Sequence, residues 1–259
     1  MRLPFLILEL LGFFVFSLFP GYSQDRWPVS LHASVTRLRL KADAGDATAQ
    51  FDLGYLYETG DGVQQSYPQS AYYYQAAAAQ GHATAANNLA ALYQHGQGVD
   101  KDLKKAIHWY QQAADGGDPT GQCNLASLYF SGSGVRRDYG KAAKWFRAAA
   151  EQGLPAAQNN LAYMYYNGTG VSRDYVTAAQ WTRRAAEAGY ATAQGDLGFL
   201  YEQGKGVSLD YTSAYMWYTL GAKGGDLRSL ERMKSLSHLM VQTQLNEAKI
   251  RANAWMSKR

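Results

Sequence analysis

The sequence predicts an all-α protein: a stack of helical hairpins with a cap at each end, an α/α solenoid. Three observations carry this. Gly-Val recurs at 62–63, 98–99, 134–135, 170–171 and 206–207, always 36 residues apart, a period typical of a supersecondary unit repeated along a chain. The positions between keep the same register: Leu at 53, 89, 125, 161 and 197, Tyr at 57, 93, 129, 165 and 201, Gly at 60, 96, 132, 168 and 204, and Trp109, Trp145, Trp181 and Trp217 aligned with Tyr73. Within one unit the apolar residues fall at helical spacing and not at the alternation of a strand.

Residues 1–23 stand apart. A basic Met1-Arg2 start, an apolar run from Leu10 to Phe19 and then Pro20-Gly21-Tyr22-Ser23 have the layout of a secretory signal with cleavage near Ser23. The run is shorter than the roughly 20 apolar residues of a membrane span. Glu9 interrupts the apolar stretch, which leaves an uncleaved anchor as the alternative. A membrane contact is expected only in that case. Residues 24–48 form a linker and an N-terminal half-repeat: Val35 to Ala44 reads as a lone second helix, with Leu40, Ala44 and Gly45 in register.

Five units follow, at 49–84, 85–120, 121–156, 157–192 and 193–228, and each reads as two helices. In the fourth, Ala157, Leu161, Met164 and Tyr165 line one face of the first helix. Gly168 stops it, because glycine takes the left-handed conformation without a Cβ penalty. Asp174 is placed to cap the second helix, as Asp102, Asp138, Asp210 and Ser66 do in the others. That helix carries Ala178, Trp181, Ala185 and Ala186 at helical spacing, and Gly189 ends it. Small Ala pairs opposite large Trp and Tyr give interlocking layers, and the Tyr57 series reads as core. One unit cannot bury its own apolar face, so stacking supplies the core. In residues 229–259 the repeat is lost. Leu236 to Met256 reads as one capping helix, with Leu245, Ala248, Ala252 and Trp255 inward.

The third unit runs Asn124-Leu125-Ala126-Ser127-Leu128-Tyr129-Phe130-Ser131-Gly132-Ser133-Gly134-Val135-Arg136-Arg137-Asp138-Tyr139-Gly140-Lys141-Ala142-Ala143-Lys144-Trp145-Phe146. It closely resembles the Sel1-like repeat, a relative of the tetratricopeptide repeat, and the resemblance extends over about residues 33–256. It implies a right-handed α/α superhelix that serves as a protein-interaction scaffold. Exported bacterial members and members acting in the endoplasmic reticulum are known. One subgroup rich in paired cysteines is labelled β-lactamase or penicillin-binding. Cys123, the single cysteine, departs from that pattern.

Nothing in the chain resembles catalytic machinery. The five histidines, His32, His82, His95, His108 and His238, form no His-Glu-x-x-His and no pair at metal-ligand spacing. No Ser-x-x-Lys and no Gly-x-Ser-x-Gly elbow occurs. Gly96-Gln97-Gly98 lacks the Lys-Ser/Thr of a phosphate loop. No catalytic residue, metal ligand or cofactor site is therefore expected, and the chain reads as a non-enzyme. The alternative, a β-lactamase, penicillin-binding-type or cell-wall-directed hydrolase, follows only from the labels of those cysteine-rich relatives. Residues 46–228 hold 14 basic and 16 acidic side chains. The net charge of +4 thus comes from the ends, +2 over 24–45 and +4 over 229–259. A nucleic-acid groove would need a basic stripe along the array, so no nucleic acid is expected.

A partner would sit on the first helices, which line the concave side of stacked hairpins. The residue before each Leu is Asp52, Asn88, Asn124, Asn160 and Asp196, polar in all five units. Such a ladder can hydrogen-bond the backbone of an extended peptide. It can equally bond the next unit and hold the stack, and the residues alone leave the two readings open. Beside it the positions vary: Tyr55, Ala91, Ser127, Tyr163 and Phe199, then Glu58, Gln94, Phe130, Tyr166 and Glu202. The candidate binding residues are the five ladder residues with Tyr55, Tyr163, Phe199, Phe130 and Tyr166. The expected partner is a protein or extended peptide. The expected state is a monomer exported to the cell envelope, periplasmic or secreted.

Overall fold

The computed structural model describes residues 29–257, so the segment 1–23 read as a signal or anchor lies outside the described residues. These residues form thirteen α-helices and no strand. Helix α1 is Val29–Asp43. The first helices of successive hairpins are α2 (Ala47–Thr59), α4 (Ala83–His95), α6 (Pro119–Ser131), α8 (Pro155–Asn167) and α10 (Ala191–Gln203). Their second helices are α3 (Tyr67–Ala79), α5 (Leu103–Asp115), α7 (Tyr139–Glu151), α9 (Tyr175–Glu187) and α11 (Tyr211–Lys223). Helices α12 (Leu227–Ser237) and α13 (Gln242–Met256) follow.

The repeated turn chemistry sets these boundaries. Every second helix of a hairpin is capped by its Ser or Asp; Asp174 and Asp210 each accept from two backbone N–H groups of the first turn. Some first helices have caps of their own: Asp46, Asp118 and Asp226 accept from Ala49, Gly121 and Ser229 N–H, and the His82 Nδ1 accepts from Ala85 N–H, whereas α8 and α10 start at Leu154 and Tyr190 without a side-chain cap. First helices end on Gly60, Gly96, Gly132, Gly168 and Gly204 in the left-handed conformation. The second glycine of the turn has a further reason. Gly206 has φ 70°, and a Cβ there would lie 1.9 Å from the Tyr175 carbonyl oxygen at the start of the preceding hairpin's second helix. Only glycine permits that approach.

The helices divide into two compact units, with the described residues up to Arg137 in one and those from Asp138 in the other. In the first, Leu53, Leu89 and Leu125 are fully buried, and Tyr74, Ala77, Ala85, Leu92 and Ala113 interdigitate between α3, α4 and α5. In the second, Leu161, Met164 and Leu197 are fully buried. Leu197 belongs to a cluster running from Tyr166 through Tyr218 to Ala252 of α13.

Three sequence expectations change. The C-terminal tail is two helices. Helix α12 starts 36 residues after α10 and is capped by Asp226 at the position of Asp118, so it is the first helix of a sixth hairpin. The turn at 238–241 lacks the paired glycines, and α13 covers the last hairpin. Trp255 meets Trp217 edge-on at 6.0 Å, and Trp217 is buried while Trp109, Trp145 and Trp181 stay half-exposed. In α1, Leu40 is 67% exposed and Ala44 also faces out; Ala42 makes the core contact. The Tyr57 series is half-buried. Its rings pack on the core while its hydroxyls reach the edge, where Arg39, Arg147 and Arg183 donate to Tyr57, Tyr165 and Tyr201 at 2.6–2.7 Å. A phenol is placed well for both tasks because only its tip is polar.

Candidate binding face

Each ladder residue precedes a fully buried Leu on a first helix, so it lies about 100° around the axis from it, at the margin of the core. What each amide or carboxylate does depends on its neighbours. In the first unit, Asp52 is exposed. Asn124 Nδ2 donates to Asn87 Oδ1 at 2.9 Å, Asn87 Nδ2 to Asn88 Oδ1 at 3.1 Å, and Asn88 Nδ2 to the Tyr74 hydroxyl at 3.2 Å. Tyr74 in turn donates to Glu58 Oε2 at 2.5 Å. This chain of four bonds runs from α6 through α4 and α3 to α2, and each bond polarises the next. Burial raises both the Tyr74 phenol and the Glu58 carboxyl above their ordinary values. Two ladder residues, Asn88 and Asn124, are thus engaged in holding consecutive hairpins together.

In the second unit, Asn160 is half-buried and its amide makes no hydrogen bond among the described residues. Asp196 is buried. It accepts from Asn159 Nδ2 at 3.2 Å and lies 3.7 Å from the Arg228 guanidinium, which also meets Asp226 at 3.1 Å. Burial pushes the Asp196 carboxyl up to about 7, with Arg228 and Asn159 pulling the other way. One turn further along α12, Arg232 pairs with Glu202 at 3.2 Å and stands 4.6 Å over the Phe199 ring. The two arginines clasp α12 to α10.

The aromatic candidates separate in the same way. Tyr55 is 51% exposed, and Phe130 and Tyr163 are half-buried. Burial, with the Tyr139 phenol beside it, raises the Tyr163 hydroxyl. Tyr166 and Phe199 are buried, at 5% and 8% exposure, their rings 6.3 Å apart, and Tyr166 packs edge-on against Tyr175 at 5.0 Å. These two belong to the core of their unit and not to an open surface. Asp52, Tyr55, Asn88, Asn124 and Phe130 lie in the first unit, and Asn160, Tyr163, Tyr166, Asp196 and Phe199 in the second.

Two repeated interactions were legible and missed. Gln50, Gln122, Gln158 and Gln194 are buried, and each donates to a carbonyl eight residues earlier, at the end of the preceding second helix: Ala42, Ala114, Ala150 and Ala186 at 3.0–3.2 Å. A Gln recurring at 36-residue spacing on an otherwise apolar face was the signal. The other is a pair sixteen residues apart: Glu58–Tyr74, Gln94–Tyr110 and Glu202–Tyr218 are hydrogen-bonded at 2.5–2.8 Å. At 58, 94 and 202 the residue therefore answers to an intramolecular partner and not only to a ligand.

Among the described residues no group of His, Cys, Asp or Glu could hold a metal ion. No helix among them is long and apolar enough to cross a membrane. Cys123 is buried.

Hairpins of constant length, glycine-paired turns and glutamine contacts between successive hairpins define a helical-repeat array. The Sel1 repeat model matches residues 47–82, 83–118, 119–154, 155–190 and 191–226, beginning two residues earlier than the sequence register and coinciding with the helix starts. The chain belongs to the Sel1 repeat family. Proteins of this family are generally protein-interaction scaffolds. A comparison with curated proteins gives no match. Among solved structures, a protective antigen of uropathogenic Escherichia coli displaying an SLR fold is 30% identical, with TM-score 0.59, over 87% of this chain and 56% of that one. The chain therefore spans little more than half of that antigen. A Sel1 repeat protein from Oxalobacter formigenes is 27% identical, with TM-score 0.72, over 85% of this chain and 97% of that one. An immunity protein from Pseudomonas aeruginosa is 23% identical over 82% of each chain, with TM-score 0.50, a likeness of fold.

Proposed function

We propose that this chain is an exported, non-enzymatic scaffold that holds an extended peptide or protein segment against its first-helix face. The observation that carries the reading is Asn160. It is a half-buried ladder amide without a hydrogen bond among the described residues, three residues from the half-buried Tyr163 on the same helix face. An amide can both accept from and donate to a peptide backbone, and the neighbouring ring supplies apolar contact. Within the same unit, Asp196 supports the face by fixing α10 to α12. The leader-like residues 1–23 support export, as does the likeness to a protective antigen. The test pairs Asn160→Ala with Asn124→Ala against partners captured from the native envelope fraction. Asn160→Ala weakens capture at unchanged melting temperature, while Asn124→Ala lowers the melting temperature. Undiminished capture by Asn160→Ala and Tyr163→Ala refutes the binding role. N-terminal sequencing of the exported protein tests the leader, and a start near Gln24 excludes a tether.

A further inference from the structure

A different surface, independent of the first-helix face, carries a second inference. Between α7 and the turn after α8 lies a cleft of about 290 Å³ lined by Gly140, Ala143, Lys144, Arg147, Gly170 and Val171. The repeat register explains why it opens here. At the position of Gly140 the other second helices carry Pro68, Lys104, Val176 and Thr212; at that of Ala143, α5 carries Ile107. In α5 the Ile107 side chain fills the equivalent space, its Cδ1 lying 2.9 Å from where a Cβ on Gly134 would stand. Only α7 combines two small residues with two cations at positions 144 and 147: the same positions are His108 and Gln111 in α5, and Gln180 and Arg183 in α9.

Arg147 is held in place, Lys144 is exposed, and neither cation forms an ion pair among the described residues. Arg147 donates to the Tyr165 hydroxyl at 2.6 Å and lies 5.9 Å from that ring's centroid. Lys144 stands 5.1 Å from the Trp145 ring. Neither has a carboxylate within ion-pair distance among the described residues. Asp138 at the rim and Asp174 cap helices: Asp138 accepts from Lys141 N–H and Asp174 from Val176 and Thr177 N–H. An apolar floor of Ala143 and Val171 under two unpaired cations matches a short aliphatic chain ending in a carboxylate. We propose that this cleft receives a glutamate or aspartate side chain from an acidic segment of a protein partner, methylenes on the floor and carboxylate between Lys144 and Arg147. Complementary charge of this kind sets orientation and encounter rate.

The probe is a fluorescein-labelled alternating Glu-Gly peptide, with its Gln-Gly counterpart and inorganic phosphate as comparisons, read by fluorescence anisotropy at low ionic strength. The Glu-Gly peptide binds and the Gln-Gly peptide does not, and added salt weakens binding. Lys144→Gln with Arg147→Gln weakens it about tenfold. Gly140→Val fills the cleft without changing charge and weakens it comparably. That variant folds, because a Cβ at 140 meets only Asp138 Oδ1 at 3.4 Å and valine stands at 176 in α9; its melting temperature verifies this. Lys141→Gln, an exposed cation outside the cleft lining, leaves affinity unchanged. If Gly140→Val binds like the parent, if Lys141→Gln costs as much as the cleft pair, or if phosphate competes as well as the peptide, attraction is general to the basic surface and the proposal fails.

Discussion

Asp196 offers the sharpest quantitative test of how the ladder works. Its carboxyl is buried and pushed up to about 7 from an ordinary 3.8, so the fold prefers the protonated form. The resulting penalty is absent below the unfolded value. It grows as pH rises from about 4 and is complete above about 7. At 1.36 kcal/mol for each unit, the full penalty is about 4 kcal/mol, of which about 3 kcal/mol develops between pH 4.5 and pH 8. Asp196→Asn keeps the shape and removes the ionisation. Urea unfolding of parent and variant at both pH values is the assay. The variant's stability relative to the parent should rise by about 3 kcal/mol from pH 4.5 to pH 8. Comparing two pH values cancels the constant cost of the weaker amide contact with Arg228. If that relative stability stays flat or falls, the Arg228 ion pair outweighs desolvation and the reasoning is wrong.

Further outcomes follow from single contacts. Gly206→Ala should cost about 3 kcal/mol or more because a Cβ meets the Tyr175 carbonyl. Gly45→Ala, at φ 94° with nothing within 4 Å, should cost only about 1 kcal/mol of backbone strain; equal costs by denaturant titration would count against the steric argument. Gln194→Met removes the donor to Ala186 while keeping volume and should cost about 1 kcal/mol, measurable by chemical unfolding. Trp255→Ala exposes Trp217 and should cost about 2 kcal/mol, with a red shift of tryptophan emission reporting the opened cap.

The period of 36, the glycine-paired turns and the aspartate caps were readable because each is a local backbone requirement. A left-handed residue needs glycine and a second-helix start needs an acceptor, whatever surrounds them. Hence the hairpins sit where the spacing places them. The tail was misread because Leu236 and Leu245 to Trp255 look like one apolar series, and the break at 238–241 lacks the glycines that mark the other turns. Leu40 was misassigned because it stands at the register position of Gln112 and Arg184, which are exposed, whereas Ala42 shares the buried position of Ala78, Ala114, Ala150 and Ala186.

The binding ladder separates the two levels of information. Sequence alone determined that a polar residue stands before each core Leu, since that needs only register. Whether the residue is available needed its neighbours. Asn88 and Asn124 are occupied because Asn87 stands beside them, and Asp196 because Arg228 reaches back from a helix that begins after the last matched repeat. Asn160 keeps its amide because no such partner falls within reach among the described residues. Identical residue types at one repeat position thus take different tasks, because a hydrogen bond acts over about 3 Å and its partners come from other helices.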